Sequence, residues 1–80
     1  MKKIELYDPD GNLYSGELDS HGNVDLYDRS QVYLHGSIDS AGTVMLYDDS
    51  GRLIRGNVDH SGNMSLLDRD EKKWEGKMRG

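Results

Sequence analysis

Eighty residues with no cysteine, a formal net charge of −5 and 34% hydrophobic content describe one small domain, stapled by neither disulfides nor a thiolate metal site. The acidic balance argues against a phosphate-backbone partner, which needs a basic stripe, so no nucleic acid is expected. Runs such as Val44-Met45-Leu46 fall far short of the ~20 apolar residues of a membrane-crossing helix, so no membrane is expected and a cytoplasmic chain is the default reading.

The chain divides into four tandem copies of a twenty-residue pattern, residues 1–20, 21–40, 41–60 and 61–80, within a single domain 1–80. Leu6-Tyr7-Asp8 returns as Leu26-Tyr27-Asp28, as Leu46-Tyr47-Asp48 and, degraded, as Leu66-Leu67-Asp68. A fixed period marks one small unit that cannot bury its apolar face alone. Twenty residues are too few for a helical pair and suit a β-hairpin.

In the first repeat Ile4 and Leu6 flank Glu5, and Tyr14, Gly16 and Leu18 alternate with Ser15 and Glu17. Such period-two alternation predicts two half-buried strands of about six residues. Between them, Pro9-Asp10-Gly11 has the form of a three-residue hairpin loop with glycine in the left-handed third place. Ser20-His21-Gly22 then leads to the second repeat, where Val24, Leu26, Leu34, Gly36 and Ile38 continue the inward phase. The third repeat follows with Val44, Leu46, Ile54, Gly56 and Val58, and the fourth with Met64, Leu66, Trp74, Gly76 and Met78. Aspartate precedes every loop, at residues 8, 19, 28, 39, 48, 59 and 68, where its carboxylate can bond the loop backbone. Gln31 and Glu71 occupy the glycine place in two loops, which are therefore expected to be strained or differently built.

Like faces set opposite each other fix the register. Leu6 faces Tyr14 and Ile4 faces Gly16 within the first hairpin; Gly16 faces Leu26 and Leu18 faces Val24 across the next turn. The predicted fold is all-β: four tandem hairpins forming an eight-stranded antiparallel meander closed about a pseudo-four-fold axis. Ile4, Leu6, Tyr14, Leu18 and their equivalents form the core, with Gly16, Gly36, Gly56 and Gly76 nearest the axis. Closure is favoured because a small flat sheet with one wet face buries too little. If strand eight meets strand one, Lys77 lies opposite Glu5, whereas the equivalent internal pair, Glu17 with Asp25, sets two like charges together.

Repeats of the form Y-D-x-x-G-x-x-x-x-G-x-x-D-x-x-G, carried by Leu6 to Gly22, Leu26 to Gly42 (with Gln31 in the first glycine place) and Leu46 to Gly62, with a weaker copy from Leu66 to Gly76, resemble the small bacterial β-flower proteins. That resemblance implies hairpins arranged as petals about an axis and implies no established activity. Tyr14-Ser15-Gly16-Glu17-Leu18 and Trp74-Glu75-Gly76-Lys77-Met78 are also similar to the core of MORN repeats. The MORN period is longer, however, and Leu34 and Ile54 replace the aromatic residue.

Candidate chemistry is sparse. Asp8-Pro9-Asp10-Gly11-Asn12 resembles the start of a calcium loop, but no bidentate glutamate follows at the needed spacing and hairpin turns already use both acids. His21, His35 and His60 lack the clustered partners of a zinc site. Serine and aspartate abound because turns use them, so the chain is read as non-enzymatic, with no catalytic residues, no cofactor and no metal. The outward face carries more information: Tyr7 pairs with Leu13, Tyr27 with Tyr33 and Tyr47 with Leu53, while the fourth repeat pairs Leu67 with Lys73. Clustered outward aromatics mark interfaces. These six residues are the expected interaction surface of a structural or protein-interaction module, through self-association as a dimer or with another protein. The alternative is a module for a small ligand or carbohydrate held by Tyr7, Tyr27, Tyr33 and Tyr47.

Overall fold

The computed structural model describes residues 2–80, which form eight antiparallel strands and no helix. They are β1 (Lys2–Tyr7), β2 (Leu13–Leu18), β3 (Asn23–Tyr27), β4 (Tyr33–Ile38), β5 (Thr43–Tyr47), β6 (Leu53–Val58), β7 (Asn63–Leu67) and β8 (Lys73–Arg79). Each strand pairs with its sequence neighbour, and β8 pairs with β1, so the meander closes into a barrel. Closure leaves no open sheet edge to pair with another chain.

The register follows the alternation. Leu6 faces Tyr14 and Ile4 faces Gly16, and Leu18 faces Val24 across the next turn. The same pairing recurs as Leu26 with Leu34, Leu46 with Ile54 and Leu66 with Trp74. At the seam Lys77 lies opposite Glu5, but the Glu5 carboxylate makes its ion pair with Arg79, at 3.9 Å. Glu17 and Asp25 face each other as like charges.

Alternating inward side chains fill the barrel, and the thirteen buried apolar residues all belong to the predicted inward set. Leu18, Val58 and Met78 are only half-buried and flank this core. The two barrel ends therefore differ. Beside the loops within repeats, Tyr14, Leu34, Ile54 and Trp74 seal the interior, with the Tyr14 and Trp74 rings 5.5 Å apart. Burial, helped by the Asp28 and Asp8 carboxylates, pushes the Tyr14 hydroxyl above the ordinary tyrosine range. At the other end the loops between repeats leave the Leu18 layer partly open.

Gly16, Gly36, Gly56 and Gly76, expected nearest the axis, are only half-buried, less enclosed than the aliphatic side chains around them. The demand for glycine comes from the adjacent strand. A Cβ at these positions would lie 1.8–2.1 Å from the carbonyl oxygen of Asp25, Met45, Ser65 or Glu5. Glycine lets the strands coil closely enough to close a small barrel, the role of a glycine kink in a curved sheet.

All seven loops are built alike. The third loop residue donates its backbone N–H to the carbonyl of the preceding aspartate at 3.0–3.2 Å. The aspartate Oδ1 accepts backbone N–H groups from the second and fourth residues after it, at 2.8–3.0 Å. The loops at 29–31 and 69–71 keep this construction without glycine, so Gln31 and Glu71 are held at φ +67° and +62°. They are strained and not rebuilt. A left-handed non-glycine costs roughly 1–2 kcal/mol, and glycine's extra freedom in the unfolded chain returns part of that. Gln31→Gly and Glu71→Gly should each therefore stabilise by about 0.5–1 kcal/mol, read as a higher denaturant midpoint at unchanged slope. Destabilisation by both would show that some contact of the native side chains outweighs the strain.

Candidate interaction surface

The outward residues do not form an even belt. Across β3, β4 and β5 the register sets Tyr27 opposite Tyr33 and Asp25 opposite His35, then His35 opposite Tyr47. Tyr47 in turn lies opposite Leu53 on β6. The result is a continuous aromatic strip. Tyr27 and Tyr33 stack at 4.9 Å, Tyr33 and His35 stack at 5.1 Å, and His35 meets Tyr47 in a tilted contact at 6.1 Å.

Strand geometry explains this assembly. Tyr33 and His35 are two residues apart on β4 and so share its outer face, while Tyr27 and Tyr47 approach from the strands on either side. The Tyr33 hydroxyl donates a hydrogen bond to Asp25 Oδ1. Proton donation to that carboxylate, followed by partial desolvation and the Asp25 charge, pushes the Tyr33 hydroxyl up to about 12. The ring is thereby fixed at its tip as well as by its two stacked neighbours.

Of the six residues expected at the surface, Tyr27, Tyr33, Tyr47 and Leu53 come together. Tyr7 and Leu13 form their own pair on β1 and β2. The strip continues towards them only through Ser15, opposite Tyr27, and the other neighbour of Tyr7 is Glu75. Tyr7 and Tyr27 remain 48% and 46% exposed, large values for aromatic residues on one small domain. Leu67 faces Lys73, whose ammonium pairs with Glu75 at 3.1 Å. His35 is the member that pairwise reasoning on the two strands of a hairpin misses. Its place becomes visible only when Tyr47, on the strand of the next repeat, is laid beside it.

The remaining candidates serve the turns. The Asp8 carboxylate accepts the N–H groups of Asp10 and Asn12 on Oδ1 and the Asn12 amide on Oδ2, which consumes the start of the calcium-like sequence. The Asp19 carboxyl is held below the usual range by the Asn23 and His21 backbone donors. Asp59 is lowered by the Asn63 backbone, against an opposing desolvation. For Asp68 desolvation is the largest single influence and raises the pKa, but donors from Lys72, Trp74 and Asp70 together outweigh it. Among the described residues no group of three or more His, Cys, Asp or Glu could hold a metal ion.

A concavity of about 940 Å³ opens over Leu18, Ile38, Val58 and Met78 at the end formed by the loops between repeats. Its rim carboxylates Asp39 and Asp59 are already engaged by their own turns. Lys2, Asn57, His60 and Ser65 also line it. Comparison with family models, with curated proteins and with solved structures finds no match for this chain.

Proposed function

We propose that this protein is a non-enzymatic interaction module that meets another protein surface through the outer side of β3 to β6. One observation carries the reading: Tyr33 stacks against both Tyr27 and His35, and its hydroxyl is tied to Asp25. A sugar-binding tyrosine needs an open face on which a pyranose ring can lie. Rings stacked on one another instead offer rigid apolar surface and hydroxyl groups, the qualities that enrich tyrosine at interfaces. Because the rings are already ordered, little side-chain entropy remains to be lost on contact.

Sedimentation velocity of the parent and of Tyr27→Ser/Tyr47→Ser tests the reading. The variant is expected to lose association while its β-sheet circular dichroism is unchanged. Titration with simple sugars to millimolar concentration is expected to leave parent tyrosine fluorescence unchanged. A sugar-dependent change abolished by the same double substitution would favour the carbohydrate reading. Association identical in parent and variant would remove the strip from the interface.

A further inference from the structure

We infer that Tyr33 is a redox site, which gives one electron to a one-electron oxidant at the barrel surface while its phenolic proton passes along the existing hydrogen bond to Asp25. The oxidant belongs to the class of oxygen-centred radicals and high-valent metal complexes, and it is reduced by one equivalent. The Tyr33 O–H bond breaks, the proton bonds to Asp25 Oδ1, and a neutral phenoxyl radical is left beside a neutral carboxylic acid. A one-electron reductant such as a thiolate restores the pair by the reverse step.

Geometry sets Tyr33 apart from the other tyrosines. Its hydroxyl donates to Asp25 Oδ1, and among the described residues no other tyrosine hydroxyl donates to a carboxylate. A phenol that loses an electron becomes a far stronger acid. An acceptor already in place spares the ring from forming a charged radical that must wait for water. The Tyr33 hydroxyl is pushed up to about 12, so at neutral pH the phenol and not the phenolate meets the oxidant. Electron and proton therefore have to leave together.

The surroundings suit the same step. Asp25 faces Glu17 on β2 and His35 on β4, and it makes no ion pair among the described residues. Taking up the proton removes the like-charge contact with Glu17. Tyr33 is half-buried, but Tyr27 stacks on it at 4.9 Å and is 46% exposed. An oxidant that does not touch Tyr33 thus has a ring contact leading to it. Trp74 is the other oxidisable ring bonded to a carboxylate, through Asp68 Oδ2. It is buried in the layer that seals one barrel end, so an oxidant acting by contact reaches Tyr33 and Tyr27 first.

Laser-flash oxidation with photogenerated tris(bipyridyl)ruthenium(III) reads the step directly, because phenoxyl and indolyl radicals absorb at different wavelengths. The parent should show a fast phenoxyl transient whose formation slows in heavy water. Tyr33→Phe keeps a ring in the stack and should remove this phase, leaving only slower oxidation of the exposed tyrosines. Asp25→Asn keeps an acceptor oxygen without the basicity of a carboxylate. It should slow the phase by about tenfold or more, the low side of what a positioned proton acceptor contributes. Glu17→Gln removes an equal charge from the facing position and should leave the rate close to that of the parent, which separates proton acceptance from attraction of a cationic oxidant. Melting curves check that each variant keeps the barrel. A fast phase that survives Tyr33→Phe overturns the inference, as does an indolyl transient that disappears in Trp74→Phe. Formation equally fast in heavy water, or equal slowing by Asp25→Asn and Glu17→Gln, overturns it as well, because Asp25 would then take no proton in the step.

Discussion

Gly36→Val is expected to destabilise the protein by about 3 kcal/mol or more, lowering the melting temperature by roughly 12–24 °C for a domain of this size. A Cβ there would lie 1.9 Å from the Met45 carbonyl oxygen and 2.9 Å from the Leu46 Cα. Both are backbone atoms, so no rotamer change relieves the clash, and only uncoiling β4 from β5 makes room. Gly11→Ala supplies the contrast. A Cβ at Gly11 meets nothing within 4 Å, and only the φ of +88° opposes substitution. Its cost should be about 1–2 kcal/mol, the strain of a left-handed residue. Equal melting temperatures for the two variants would mean that close strand coiling is not what Gly36 provides.

Trp74→Ala should cost about 3–5 kcal/mol, the range for removing a buried large aromatic side chain. Trp74 is 8% exposed in the layer that seals one end of the barrel. It contacts the Tyr14 ring and donates its indole N–H to Asp68 Oδ2 at 3.1 Å. The same bond ties the end of the core to one of the two loops that lack glycine. Trp74→Phe keeps much of the packing and loses the bond, so its melting point should fall between those of the parent and the alanine variant. A loss under ~1 kcal/mol for Trp74→Ala, by chemical denaturation, would show that this end of the barrel is not packed as described.

The course of the backbone was legible in the sequence because several local signals agreed. Alternation in Ile4-Glu5-Leu6, three-residue loops such as Pro9-Asp10-Gly11, and aspartate before every loop all demand one register. The reason for Gly36 was less accessible. Its phase points inward, which suggested crowding at an axis, whereas the close neighbour is the Met45 carbonyl on the next strand, a consequence of coiling that pattern alone does not encode. Leu18, Val58 and Met78 read as core by phase but lie where the loops between repeats bring no cover. The outward aromatic strip was half legible. Tyr27 with Tyr33 and Tyr47 with Leu53 follow from pairing within a hairpin. The role of His35 depends on contact between hairpins, and so does the separation of Tyr7 and Leu13 from the strip.

The account rests on closure within one chain, in the register that gathers the aromatic residues on one side. Isotope-filtered NOE spectroscopy on a mixture of labelled and unlabelled protein tests it most directly, by separating contacts within a chain from contacts between chains. The account predicts intrachain cross-strand contacts between β1 and β8, with Leu6 opposite Gly76 and Glu5 opposite Lys77, together with intrachain ring contacts from Tyr33 to Tyr27 and His35. Contacts between β1 and β8 that appear only between chains, or a β4 shifted by one residue so that His35 turns inward, would contradict it.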